Sequence, residues 1–136
     1  MIIHRSGSRP SRRAPAEYFT GTVWQDPIVE AEAPARLRAA LVRFDPGART
    51  NWHTHPLGQT LHVVSGLGLF QGAEGPVRFI RPGDTVWIPA GERHWHGATP
   101  ETAMTHIAMH EAEGGNHVDW AEPVSDEDYG ALREEA

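Results

Sequence analysis

The sequence contains neither cysteine nor lysine among its 136 residues. Without cysteine, it can form no disulfide, thiolate nucleophile or thiolate metal site. Without lysine, it has no amine for Schiff-base chemistry and lacks the lysine of a phosphate-binding P-loop. All twelve basic residues are arginines, and the formal net charge is −6. We therefore expect a small-molecule substrate rather than nucleic acid as the partner.

Long apolar runs are also missing. No stretch approaches the length of a membrane span, and residues 1–16 lack the apolar core of a signal peptide. The expectation is a cytoplasmic protein with no membrane partner. Residues 1–16 are rich in Arg, Ser and Pro, which predicts a solvated N-terminal arm.

Glycine and proline divide the rest of the chain into short segments, a rhythm typical of many strands joined by turns. The strand candidates are rich in β-branched and apolar residues. They are Leu37–Phe44, Gln59–Ser65, Leu67–Gln71, Val77–Ile80, Thr85–Ile88 and Thr102–His110. The pattern predicts an all-β fold, closed or nearly closed.

Only the C-terminal segment has a helical pattern. Ser125 followed by Asp128 makes a weak capping box, and Tyr129 and Leu132 lie three apart on one helical face. The predicted organisation is an arm over 1–16, a barrel over 17–124 and a short helix over 125–136.

Nine histidines stand out in so short a chain. His53 and His55 form an i, i+2 pair, as do His94 and His96, so in strands each pair projects to one side. Gln59 follows the first pair after a turn-like insert. Imidazole ligands suit divalent first-row metals, and an added oxygen ligand shifts the preference toward manganese and iron. His4 and His117, near the termini, are expected to be solvated.

Two motifs resemble those of the cupin superfamily. They read Gly47-x5-His53-x-His55-x3-Gln59-x6-Gly66 and Gly83-x5-Pro89-x-Gly91-x2-His94. Gln59 stands where the family usually has Glu, and Ala98 where it often has Asn. The resemblance implies a single-domain cupin, which is a small conical β-barrel (a double-stranded β-helix), and one divalent transition metal. Small cupins are usually homodimers or homotetramers through their outer sheet.

Replacing a carboxylate ligand by Gln59 leaves the metal site more positive. A more positive site polarises a bound oxygen more strongly and does less to support high oxidation states. We interpret this as favouring Lewis-acid chemistry over redox turnover with dioxygen.

A narrower resemblance covers residues 15–120 and points to the manganese-dependent bacterial cupin hydroxynitrile lyases. The similar segments are Phe19–Val23, Pro46–Thr50, Trp52–Leu61, His94–Ala98, Thr102–His106 and Val118–Trp120. The resemblance implies His53, His55, Gln59 and His94 as metal ligands, and Mn²⁺ as the metal, with Fe²⁺, Ni²⁺ and Zn²⁺ as alternatives. The implied reaction is reversible cleavage of an aromatic cyanohydrin to an aldehyde and hydrogen cyanide.

That chemistry needs a base for the hydroxyl proton and a partner for the departing cyanide. His96, His106 and His110 are the candidates, with His106 the first choice, because neutral histidine titrates near working pH. Ala40, Val42 and Phe44 alternate along one strand face and are candidate walls of the substrate pocket, although for Phe44 barrel core is the favoured interpretation.

Two other functions remain open from the sequence. One is a metal-dependent cupin dioxygenase or oxidase, which predicts iron or copper and oxygen uptake. The other is a non-catalytic cupin that binds a metal and a small molecule. The physiological substrate is not encoded in any of these motifs.

Overall fold

The computed structural model describes residues 1–131, and these form thirteen strands and one short helix. In chain order the elements are β1 Arg12–Arg13, β2 Phe19–Thr20, β3 Val23–Glu30, β4 Leu37–Phe44, β5 Arg49–Thr50, β6 His53–Thr54, β7 Gln59–Gly66, β8 Gly68–Gly72, β9 Arg78–Ile80, β10 Thr85–Ile88, β11 His94–Ala98, β12 Met104–Glu111, β13 Asp119–Trp120 and α1 Asp126–Tyr129.

Two curled antiparallel sheets make up the barrel. The first has the order β1-β3-β4-β12-β7-β10. The second has the order β13-β6-β11-β5-β2, with β8 pairing with β11 and β9. The predicted all-β fold is confirmed, because strands are the regular structure of the described residues except for one short helix.

Alternating side chains of the first sheet give it one face toward the barrel interior. On β7 the buried residues are Gln59, Leu61 and Val63, while His62 faces outward and its Nδ1 lies 2.9 Å from Thr85 Oγ1. The main core cluster lies between the sheets and includes Val23, Phe44, Leu61, Val63, Ile88 and Met104. The interior face of this sheet therefore carries both the core and the site residues.

A second apolar cluster lies outside the barrel interior, under α1. Trp52 and Trp95 pack there with Val124 and Tyr129. Each tryptophan is one residue out of phase with a site histidine, so alternation sends it away from the interior. The Tyr129 hydroxyl donates to the main-chain carbonyl of Ala98 at 2.6 Å, which ties α1 to β11.

The helix begins as its capping box predicts, since the Ser125 hydroxyl accepts from the Asp128 main-chain N–H at 3.0 Å. The expected partner of Tyr129 on the helix face, Leu132, lies outside the described residues. Inside the predicted N-terminal arm, β1 pairs with β3 and Ala14 is buried in the main core. The limits of the three predicted segments otherwise remain a prediction.

Candidate metal centre and active-site cavity

The candidate metal ligands are brought together by both sheets. His53 on β6 lies directly opposite His94 on β11 in the second sheet. Gln59 begins β7 of the first sheet, directly opposite His110 on β12. The turn at residues 55–58 connects the sheets, with Gly58 at φ +82°. A Cβ on Gly58 would lie 2.7 Å from the Ile88 carbonyl oxygen, so only glycine fits this close approach.

Three imidazole rings converge inside the barrel. The ring centroids are 4.2 Å apart for His53 and His94, 5.0 Å for His53 and His55, and 5.5 Å for His55 and His94. All three residues are buried. Burial, reinforced for His53 by the neighbouring histidines, lowers the pKa of each, and that of His94 falls to about 4. The rings are therefore neutral near pH 7, the state in which imidazole binds a metal.

Main-chain carbonyls fix the tautomer of each ring. Nδ1 of His53 lies 2.8 Å from the Asn51 oxygen, and Nδ1 of His94 lies 2.9 Å from the Glu92 oxygen. Nδ1 of His55 lies 2.6 Å from the carbonyl of His117. A carbonyl only accepts, so each neutral ring carries its proton on Nδ1 and presents an unprotonated Nε2. This is the usual orientation of metal-binding histidine.

The contact between Gln59 and His94 bears on whether these residues fit a cation. Gln59 Oε1 lies 3.2 Å from His94 Nε2, and Gln59 Nε2 lies 3.4 Å from His110 Nδ1. The amide nitrogen is thus directed at the ring nitrogen of His110, which leaves Oε1 facing the unprotonated Nε2 of His94. Two lone pairs at this distance repel each other unless a positive charge lies beside them. The residues present therefore fit a divalent metal.

Distances between ring nitrogens alone select a group that differs from the predicted ligand set by one histidine. Ring nitrogens of His53, His94 and His96 all lie within 4.8 Å of one another, a group that could hold a metal ion. His55 falls outside that group, but its Nε2 is buried without a hydrogen-bond partner. Nε2 of His96 is also buried without a partner. His55 and His96 thus each offer a free buried nitrogen next to the pair formed by His53 and His94.

His96 and His106 form a hydrogen-bonded pair of buried imidazoles. His106 Nε2 lies 2.9 Å from His96 Nδ1, and His106 Nδ1 has no partner. Burial lowers the pKa of His106 to about 4. Burial and the facing His106 also hold the pKa of His96 well below its ordinary value. Both rings are neutral near pH 7, so one of them donates a single proton to the other.

An inner cavity of about 90 Å³ adjoins these histidines. Its walls combine the site histidines with apolar and aromatic side chains. The apolar and aromatic ones are Phe19, Ala40, Val42, Phe44, Ala108, Val118 and Trp120. Ala40, Val42 and Phe44 thus line the cavity as their alternation predicts, and the Phe44 ring lies 5.2 Å from that of His106. Phe44 is also fully buried in the main core, as the core interpretation expects, and its role as a substrate wall stays a prediction.

His117 lies in the cavity wall, contrary to the expectation that it would be solvated. Its ring stacks on that of His110 with centroids 4.8 Å apart and planes 7° apart. Its carbonyl holds His55, from 62 positions further along the chain. Burial lowers the pKa of His110 to about 3. His4 is exposed and lines a separate surface pocket that contains none of the candidate site residues.

Trp120 lies in a segment of the narrower family resemblance but was given no role from the sequence, yet it contacts the site. Its ring centroid lies 4.8 Å from that of His53, and it stacks on Tyr18 at 4.8 Å with planes 9° apart. Its position follows from the pairing of β13 with β6, which puts Trp120 opposite His53. The contact of Trp120 with His53 follows only from this pairing of distant segments, because the residues next to Trp120 in the sequence carry no metal-binding motif.

Comparison with known families decides the class. The cupin domain model of the Cupin_2 family matches residues 40–110, which contain the four predicted ligands and His106. The chain belongs to the cupin family. This cupin is 56% identical over 129 residues to a protein named (R)-mandelonitrile lyase from Granulicella tundricola, with 95% of the chain and 98% of the relative covered.

Solved structures agree on the fold of this cupin. A cupin-like protein from Thermotoga maritima is 36% identical, with a TM-score of 0.82 and 95% of each chain covered. The polyketide cyclase RemF from Streptomyces resistomycificus is 16% identical, with a TM-score of 0.73, and the match covers 95% of this chain and 89% of that one. At 16% identity the second likeness shows the fold alone.

Proposed function

We propose that this cupin is a metal-dependent lyase that cleaves a cyanohydrin to an aldehyde and hydrogen cyanide. The observation that carries the proposal is the neutral, buried pair His96 and His106. The pair lies beside the candidate metal site and lines a largely apolar cavity. The relative named (R)-mandelonitrile lyase supports this substrate class. Fold alone would not, because one fold serves many reactions.

The proposed metal ligands are His53, His55, Gln59 and His94. The three histidines share the hydrogen bond from Nδ1 to a main-chain carbonyl, and Gln59 turns its oxygen inward. His96 lacks that anchor, since its Nδ1 faces another imidazole. Three nitrogens and one amide oxygen suit Mn²⁺, which we propose as the metal. When bound, a divalent ion supplies Lewis-acid polarisation of a substrate oxygen.

His106 is the proposed base. It keeps its Nε2 proton by donating to His96 Nδ1, which leaves its Nδ1 as the basic nitrogen. His106 removes the proton of the cyanohydrin hydroxyl, and the electrons of that O–H bond form the carbonyl as the C–C bond breaks. Cyanide leaves with the C–C bonding pair and takes up the proton held by His106, giving hydrogen cyanide.

His96 and His110 complete the polar wall. In the same tautomer His96 carries its remaining proton on Nε2, a donor for the departing anion. His110 receives the amide N–H of Gln59 and stacks on His55 with ring centroids 4.9 Å apart, so it holds the ligand side of the cavity. Ala40 and Val42 face the substrate as small apolar walls, which leave room for an aryl group.

The test is cleavage of mandelonitrile, followed through the absorbance of benzaldehyde. We expect activity that is lost after chelation and restored by Mn²⁺. His53→Ala should lose both metal and activity, whereas His106→Ala should keep the metal and lose at least a hundredfold in kcat. A rate no higher than the uncatalysed one with metal present, or full activity in His106→Ala, would refute the proposal.

A second copy of this chain is the proposed partner at the outer face of the first sheet. Trp87 and Val64 are exposed there by 62% and 47%, and Leu37 by 45%. An exposed apolar sheet face of this kind commonly marks an interface. Light scattering should give a homodimer or homotetramer, and a monomer at all concentrations would reject this.

Among the described residues no helix is long and apolar enough to cross a membrane. The cytoplasmic location remains a prediction.

A further inference from the structure

An outer cavity of about 250 Å³ opens beside the inner one. The two cavities have Gln25, Ala40, His110 and His117 in common, so they adjoin, and we take the outer cavity as the entrance to the inner one. Two arginines, Arg12 and Arg38, and one acid, Glu30, also line the outer cavity. The wall of the outer cavity is therefore charged. Among the described residues that line the inner cavity there is no Arg, Asp or Glu.

Strand register places Arg38 in line with the candidate metal centre. Gln59 on β7 lies opposite His110 on β12, and His110 lies opposite Arg38 on β4. Glu30 on β3 completes the row. Neighbouring strands are about 4.8 Å apart, so Arg38 starts about two strand spacings from Gln59. Arg38 also continues the pocket-lining face of β4, because Ala40 and Val42 are its alternate neighbours.

The charge of this entrance is opposite to that of the whole chain. The chain carries a formal net charge of −6, whereas the outer cavity has two arginines against one glutamate. A local positive field in an acidic protein attracts an anionic ligand.

We propose that Arg38, assisted by Arg12, binds a carboxylate on the substrate, so that the preferred substrates are carboxyl-bearing aromatic cyanohydrins or their aldehydes. This inference rests on the proposed lyase function and names the substrate class of the same site. The aryl ring fits the apolar walls of the inner cavity, and the carboxylate lies at the entrance on the side of the ring away from the reacting carbon. Guanidinium binds carboxylate through paired, charge-assisted hydrogen bonds.

Paired kinetics on two substrates tests the assignment. The substrates are mandelonitrile and 4-carboxymandelonitrile, and the readout is the ratio of their kcat/KM values within each protein. We expect the wild type to favour the carboxylated substrate roughly tenfold, as a partly exposed charged hydrogen bond provides. Arg38→Gln should bring the ratio near one. Glu30→Gln should raise it, because Glu30 competes for the same arginine.

Arg43→Gln is the matched control. Arg43 lies on the same strand as Arg38 but on its outer, exposed face, so the ratio should equal that of the wild type. A ratio near one in the wild type, or an unchanged preference in Arg38→Gln, overturns the inference while the lyase proposal stands. If the metal rather than Arg38 binds the carboxylate, Arg38→Gln keeps the preference for the carboxylated substrate.

Binding provides a readout that does not depend on turnover. Titration calorimetry of the metal-loaded protein with 4-formylbenzoate and with benzaldehyde should show tighter binding of the carboxylate, by roughly tenfold, and Arg38→Gln should remove the difference. If mandelonitrile is not cleaved but this difference is found, the lyase proposal fails and the carboxylate site survives. Equal binding of both probes rejects the site.

Discussion

At the scale of single residues, His55 and His96 compete for one place at the metal centre. Each has a buried Nε2 without a partner next to His53 and His94. The choice also decides the base. If His96 bound the metal through Nε2, its Nδ1 would donate to His106, and His106 would keep a proton on Nδ1 and have no basic nitrogen left.

Metal content of two variants separates these arrangements. We expect His55→Ala to lose most of its bound Mn²⁺ on dialysis and His96→Ala to retain it, because only His55 has the main-chain anchor that fixes a ligand tautomer. His62→Ala, on the outward face of β7, is the control. Elemental analysis per chain measures the result, and retention by His55→Ala with loss by His96→Ala would exchange the two roles.

The sequence predicted some of these residues and not others for a physical reason. His53 and His55, like His94 and His96, are neighbours in the sequence, and strand alternation alone aims each pair at one space. Arg38 is also in phase with Ala40 and Val42. The contact of His117 with His55 depends on a pairing across 62 positions, which local periodicity does not contain.

At the scale of elements, β11 packs closely against β5 beside the site. Gly97 follows His94 and His96 on this strand, and a Cβ there would collide with the Ala48 carbonyl oxygen and lie 2.7 Å from Arg49 Cα. No side chain fits there because β11 pairs with β5 at this point, with Gly97 directly opposite Arg49. The same pairing positions Arg49, whose guanidinium donates to the Val124 carbonyl and lies 4.2 Å from the Tyr129 ring centre.

Gly97→Ala should lower the free energy of unfolding by about 2–3 kcal/mol, since backbone atoms must move to admit the methyl group. Gly75→Ala is the control, because a Cβ there meets nothing within 4 Å. Its effect should stay within about 0.5 kcal/mol. Urea unfolding measures both, and equal effects would show that β11 can shift freely.

Strand limits followed from the sequence where glycine or proline bounds the run on both sides. β4 and β10 were predicted with the limits that the structure shows. β3 was missed because Pro27 interrupts its apolar pattern, and the register shifts between Pro27 and Val29 where proline lacks its N–H donor. The two-residue strands β1, β2, β5, β6 and β13 are too short to carry a period.

At the scale of the whole molecule, the barrel buries a group of ionisable rings in their neutral form. Burial lowers the pKa of His106 to about 4, and that of His110 to about 3, whereas an unfolded histidine titrates near 6.5. Below pH 6.5 the unfolded chain therefore binds more protons than the folded one. Stability is full above that pH and decreases as the pH falls through it.

Metal-free protein should accordingly lose stability between pH 6.5 and pH 4. The slope should reach about 1.4 kcal/mol per pH unit for each proton taken up only by the unfolded chain. Urea unfolding in the presence of chelator at four pH values measures the slope. His106→Gln should show a shallower dependence, and a free energy of unfolding that is constant down to pH 4.5 would contradict the argument.

The contact between Trp120 and His53 should make the tryptophan fluorescence of this protein sensitive to metal binding. The indole lies 4.8 Å from a proposed ligand ring, centroid to centroid. A paramagnetic ion such as Mn²⁺ bound at that ring lies close enough to quench the emission of Trp120. Trp52 and Trp95, in the separate cluster under the helix, supply a steadier background. Metal binding should therefore lower the intrinsic tryptophan fluorescence. In Trp120→Phe the same titration should leave the fluorescence unchanged.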